Sequence, residues 1–138
     1  MDKYMEIALQ EAKKAYEKGE VPVGCVIVRN NKILAKTHNK KEKLKCSTKH
    51  AEILAIEKAC KKIKTWHLEE CEIYITMEPC MMCTGAILQS RIKKIYYSMK
   101  NEKFGYIEKI KDKNIEIFEG MKQKESLELL KRFFATKR

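Results

Sequence analysis

The sequence predicts an α/β protein, a three-layer α/β/α sandwich on a mixed five-stranded sheet, folded as one domain over residues 1–138. Three observations predict it. Helical and strand-like stretches alternate along the chain, which is the pattern of helices packed on a sheet. The first two strands flank Asn30-Asn31, a pair suited to the positive φ angles of a tight hairpin turn, so they must run antiparallel. Two later strands are joined by a helix-length stretch, the signature of a parallel crossover. Antiparallel and parallel pairs in one sheet make it mixed.

Each element has its own signal. From Asp2 to Lys18, Met5, Ala8, Leu9, Ala12, Ala15 and Tyr16 recur at helical spacing, and Gly19 follows where a left-handed cap is wanted. Val23 to Arg29 and Lys32 to His38 are the hairpin strands. A polar, lysine-rich stretch, Asn39 to Lys49, leads into His50 to Ile63, where Ile53, Leu54, Ile56 and Ala59 mark a second helix. Glu72 to Met77, Cys80 to Gln89 and Lys94 to Met99 read as strand, short helix and strand. Beyond them the sequence predicts a short helix over Glu102 to Lys111, a strand over Asn114 to Phe118 and a closing helix over Lys122 to Ala135.

A chain of 138 residues with 44% hydrophobic content can bury one substantial core. No stretch is long and apolar enough to span a bilayer and the N-terminus lacks a signal-peptide pattern, so a soluble, cytoplasmic protein without a membrane role is expected. The six Cys are then expected as thiols, serving as ligands or core filler. Thirty Lys plus Arg against nineteen Asp plus Glu give a formal charge of +11, which suits a polyanionic partner or, equally, a lysine-rich solvated surface.

The chemistry concentrates in two short motifs. Pro79-Cys80-Met81-Met82-Cys83 sets two thiols three residues apart at a helix start, where both can face one ion and the helix N-terminus favours thiolate. By itself the pair is also compatible with a redox couple, half a structural zinc knuckle, or two core thiols. His50-Ala51-Glu52 adds a third ligand and a carboxylate at the start of another helix. Residues two apart do not share a helix face, so both can address one point only if that helix meets it end-on. One His and two Cys leave a tetrahedral zinc an open position for water, the arrangement of a catalytic site. Two thiolates cancel the ion's formal charge, which makes a nearby base useful, and Glu52 is placed to be that base.

These motifs resemble the zinc nucleoside and nucleobase deaminases, whose signature is His-x-Glu followed by Pro-Cys-x-x-Cys. Within them the chain is most similar to the bacterial tRNA adenosine deaminases, through Glu20-Val21-Pro22-Val23-Gly24, Asn39, His50-Ala51-Glu52-Ile53, Glu78 to Ala86, Ser90-Arg91-Ile92 and the ending Leu129 to Phe134. The resemblance implies a cytidine deaminase-like fold, one Zn2+ per chain on His50, Cys80 and Cys83, and Glu52 as proton shuttle. It also implies substrate contacts from Asn39, Val23, Gly24 and Ala51, a tRNA anticodon loop as partner, and a homodimer. The reaction implied is hydrolytic conversion of adenosine to inosine at the wobble position. A deaminase of free guanine, cytosine or cytidine, and an RNA-binding module with structural zinc, are the rival readings. The stretch Asn101 to Glu108 departs from the family pattern, with only Lys103 and Gly105 fitting.

Several residues carry two readings. Asn39 also suits a turn, and Gly24 a bulge or tight packing. Lys36, Lys40, Lys41, Lys43, Lys45 and Lys49 crowd the stretch before His50, as phosphate contacts or as a solvated loop. Lys103 is a further candidate RNA contact; Phe104 and Tyr106 suit base stacking or the core. His38 and His67 read as ordinary strand-end and loop histidines. Trp66 reads as a cap over the core, and Leu127, Leu130 and Phe134 as a core or dimer stripe. Lys137 and Arg138 suit the end of a helix.

Overall fold

The computed structural model describes residues 2–110, 112 and 114–136, and it has the expected three layers. The elements are α1 (Asp2–Glu17), β1 (Gly24–Arg29), β2 (Lys32–His38), α2 (Ala51–Ile63), β3 (Cys71–Met77), α3 (Met81–Gln89), β4 (Lys94–Met99), β5 (Glu116–Glu119) and α4 (Gln123–Thr136). The strands lie in the order β2-β1-β3-β4-β5. β1 is antiparallel to β2 and β3, while β3, β4 and β5 run parallel. Asn30 and Asn31 take left-handed φ values of 50° and 62°, as the hairpin turn requires.

Strand alternation sorts the core into two slabs. Cys25, Ile27, Ile73, Ile75, Ile95 and Tyr97 face α2 and α3. Val26, Val28, Tyr74 and Tyr96 face the other way, onto α1. On α2 the contact stripe is Ala51, Ala55 and Ala59, all fully buried. Side chains this small let the helix axis approach the sheet closely. On the α1 side, Tyr74 and Tyr96 stack with ring centroids 4.4 Å apart and Tyr96 stacks on Phe118 at 4.7 Å. These three rings come from paired positions of β3, β4 and β5, so a same-face aromatic ladder reinforces the parallel half of the sheet.

The closing third differs from the expectation. The helix expected over Glu102 to Lys111, of which Lys111 lies outside the described residues, is not formed by Glu102 to Ile110: the chain makes a turn after Asn101, a bridge between Gly105 and Cys80, and only a three-residue 3-10 helix at Ile107–Lys109. The Asn101 side-chain oxygen accepts the Phe104 N–H and its carbonyl accepts the Gly105 N–H, which closes the turn locally instead of propagating a helix. β5 begins two residues later than expected, because the Asn114 N–H turns back to the Asp112 carboxylate. Trp66 is no core cap; it is 51% exposed, stacked on His67 with Arg91 against its ring. Lys137 and Arg138 lie outside the described residues. Among the described residues no helix is long and apolar enough to cross a membrane.

Candidate active site and metal centre

The topology brings four chain segments to one end of the sheet. β3 and β4 finish there at Met77 and Met99, β2 finishes at His38 and antiparallel β1 starts at Gly24 opposite it. Crevices beyond the carboxyl ends of parallel strands are the usual binding positions of open α/β sheets. The cavity at this end has a volume of about 770 Å³, within the range of small-molecule sites. α2 and α3 both begin at its floor, and His50 and Cys80 are their N-cap residues, each with extended backbone.

This capping geometry solves the spacing problem set by His50 and Glu52. His50 projects from outside the helix and Glu52 from its first turn, so two residues that would diverge along a helix both line the cavity. The His50 Nδ1 lies 3.8 Å from Cys80 Sγ and 3.5 Å from Cys83 Sγ. The three ligand atoms lie within 4.8 Å of one another, the one such group of metal-ligating side chains found among the described residues. A tetrahedral zinc with ordinary bond lengths separates a nitrogen from a sulfur ligand by about 3.6 Å, so the donor set and its spacing fit that ion.

The electrostatics fit it too. Hydrogen bonds from Cys83 and then from His50 hold the Cys80 thiol well below its usual range. The hydrogen bond with Cys80, together with burial, pushes Cys83 well above it. A hydrogen bond to Cys80 raises His50. Zinc takes thiolate sulfur and neutral imidazole nitrogen, so a dication would displace the protons that these three side chains share. Glu52 is 4% exposed, and burial pushes its carboxyl up to about 7. A carboxyl raised this far can both take and return a proton near neutrality.

The rim is built from distant segments. Lys41, Lys103, Phe104, Leu127, Leu130 and Phe134 line the cavity mouth, along with Met81. The stripe Leu127-Leu130-Phe134 is therefore neither core nor a contact between layers: α4 buries Ser126, Leu129 and Phe133 against the sheet and turns the neighbouring stripe towards the cavity. Phe104 and Phe134 are 62% and 55% exposed there. Sequence periodicity could not choose between two stripes one position apart. The Ser126 hydroxyl, bonded at 2.6 Å to that of Ser98, fixes the rotation.

Other anticipated residues fall in various places. Asn39, Val23 and Ala51 line the cavity. Asn39 also holds a turn: its side-chain oxygen accepts the Lys41 N–H at 3.1 Å and its amide donates to the Val21 carbonyl at 3.3 Å. Gly24 is not among the lining residues; a Cβ there would strike the Ala8 carbonyl oxygen, so close packing on α1 accounts for this glycine. Lys40 is partly buried and Lys43 and Lys45 are exposed, all three outside the cavity lining. Tyr106 is absent from the lining, its N–H bonded to the Pro79 carbonyl. His38 is buried against Glu11 at 2.9 Å, and exposed His67 pairs with Glu69. Three buried carboxylates, Glu11, Glu20 and Glu78, were not anticipated. Glu78 lines the cavity and accepts the Asn101 N–H.

A His-Cys-Cys group that could hold a metal ion, beside a buried carboxylate and under a cationic and aromatic rim, is the arrangement of a deaminase-type hydrolytic centre. The chain belongs to the MafB19-like deaminase family, whose model matches residues 1–138. It is 51% identical over 102 residues to a tRNA-specific adenosine deaminase of Aquifex aeolicus, covering 74% of this chain and 68% of that one. It is 40% identical over 140 residues to a tRNA-specific adenosine deaminase of Rickettsia felis, covering 94% of this chain and 97% of the relative. A solved tRNA:A34 deaminase, studied for A-to-I editing at the wobble position of transfer RNA, superposes with a TM-score of 0.90 at 34% identity. The match covers 94% of this chain and 100% of that one.

Proposed function

We propose that this protein hydrolyses adenosine to inosine at the wobble position of a tRNA anticodon, in the cytoplasm, with one zinc ion per chain. The observation that carries the proposal is the open His50, Cys80 and Cys83 triad with Glu52 beside it at the floor of a cavity rimmed by Lys41, Lys103 and Phe104. Relatives that share the whole chain length and are tRNA adenosine deaminases support it.

His50, Cys80 and Cys83 would hold the ion, which when bound would polarise a water for attack on C6 of the base. Glu52 takes a proton from the attacking water and delivers it to N1 of the adenine; it then takes the proton of the new C6 hydroxyl and delivers it to the departing amine as the C6 carbonyl forms. Water is consumed, the C6–N bond breaks, and ammonia and inosine result. Ala51 and Val23 wall the target base, and Asn39 lines the same cavity while holding the turn beside it. A base stacked in a duplex would hide C6, so the nucleotide must be turned out of a loop. Phe104 and Phe134 offer faces for its splayed neighbours, and the lysines of the rim receive phosphates. The functional unit is a homodimer.

The test is incubation of zinc-loaded protein with an anticodon stem-loop carrying adenosine at the wobble position, read by sequencing for inosine. Conversion of that adenosine alone is expected. Failure to convert it, with ammonia released from free guanine or cytosine instead, would replace the RNA substrate by a free base. Sedimentation at working concentration should give the mass of two chains.

A further inference from the structure

Glu20 is a carboxylate without a part in the chemistry, yet it is 2% exposed. Burying a charge is unfavourable unless strong donors surround it. The donors here are the backbone N–H groups of Glu42 and Lys43, at 3.0 and 2.8 Å, one to each carboxylate oxygen. The preceding N–H, that of Lys41, is taken by the Asn39 side chain at 3.1 Å. Three consecutive N–H groups are thus satisfied by two side chains. The Leu44 N–H bonds the Lys40 carbonyl, so these are the free donors at the start of a single helical turn. Lys45 ends the turn with a left-handed φ of 52°.

Such a run of N–H groups beside a polyanion would itself attract a phosphate. Glu20 already occupies it. From this geometry we infer that Glu20 is a positioning residue for substrate RNA: it fills the backbone anion site and fixes the turn, so that phosphate is left to the lysine side chains, Lys41 foremost. Lys41 lines the same cavity as His50 and Glu52. Its main chain is pinned by Asn39 and the turn just beyond it by Glu20, so the cation starts from a fixed backbone position at the cavity and less ordering is left to RNA binding. Asn39 is held by the same assembly, through the Val21 carbonyl one residue beyond Glu20.

The inference rests on RNA being the substrate, and its test separates the two. Steady-state kinetics on the anticodon stem-loop would compare wild type, Glu20→Ala, Glu20→Gln, a Lys41→Ala/Lys43→Ala double variant and the triple combination with Glu20→Ala, with zinc content measured throughout. Glu20→Ala should raise KM roughly tenfold, the scale of ordering a few side chains on binding, with kcat within about twofold and zinc retained. Glu20→Gln, which keeps one acceptor, should give a smaller rise and serves if Glu20→Ala does not fold. In the lysine-less background Glu20→Ala should add less than about twofold, because coupled residues are not additive. An unchanged KM, a fall in kcat alone, or full additivity in that background would overturn the positioning role. If wild type converts no RNA, the substrate reading fails instead, while faster amide exchange at Glu42 and Lys43 in Glu20→Ala would still uphold the turn.

Discussion

The floor and the rim of the cavity are built on different principles. The floor consists of His50, Glu52 and Cys80, with Cys83 fully buried directly behind it, and all four enter at the first residues of two helices through local capping geometry. The rim is assembled from the turn after Asn39, the turn after Asn101 and one stripe of α4, segments far apart in sequence. Its two turns are held by main-chain N–H groups bonded to buried Glu20 and Glu78. On the proposed function, reaction chemistry and substrate choice are carried by separable parts, and mutations should sort into those that change metal content or kcat and those that change KM.

The largest effect should come from the ligand set. Cys83→Ala leaves two donors and should abolish both zinc retention and deamination, read as metal per chain and as inosine formed. Next is Glu52→Gln, which keeps shape and ligands but removes the proton carrier. It should retain zinc and lower kcat by about a thousandfold, the scale of losing a positioned general base. Zinc loss in this variant, or kcat near wild type, would break the division of the floor into metal holder and proton shuttle.

The contrast also explains what could be read without coordinates. His-x-Glu, Pro-Cys-x-x-Cys and the hairpin are signals within a few residues, where spacing fixes geometry once a helix start is recognised. The mixed sheet followed from the same local evidence. The rim was only partly legible. Nothing in the sequence near Glu20 says that it captures N–H groups twenty-two residues on. The stripe of Leu127, Leu130 and Phe134 had the right period but does not enter the core, because which side of an amphipathic helix meets the sheet is decided by partners such as Ser98. Asn101 stopped a helix that propensity favoured, a tertiary outcome stabilised by Glu78 and by the bridge to Cys80.

On the rim, Phe104→Ala and Phe134→Ala should each raise KM for the stem-loop by about tenfold with kcat and zinc unchanged, since an aromatic–base stack contributes about 1–3 kcal/mol. If either lowered kcat as much as it raised KM, that ring would belong to the floor.

The smallest effect separates the rim's placed charges from the overall +11. Lys103 lines the cavity, whereas Lys94 opens β4 at the opposite end of the strand from Met99 and pairs with Glu72. Replacing either by Ala lowers the net charge equally. If general attraction governed RNA binding, both would weaken it alike. If a phosphate is seated at the rim, only Lys103→Ala releases one fewer counterion. Its plot of log affinity against log salt should then be shallower by roughly one unit, with a two- to threefold loss near physiological salt. Lys94→Ala should leave the slope at the wild-type value. Equal slopes for the two variants would return Lys103 to the solvated surface and leave substrate choice to the aromatic stripe alone.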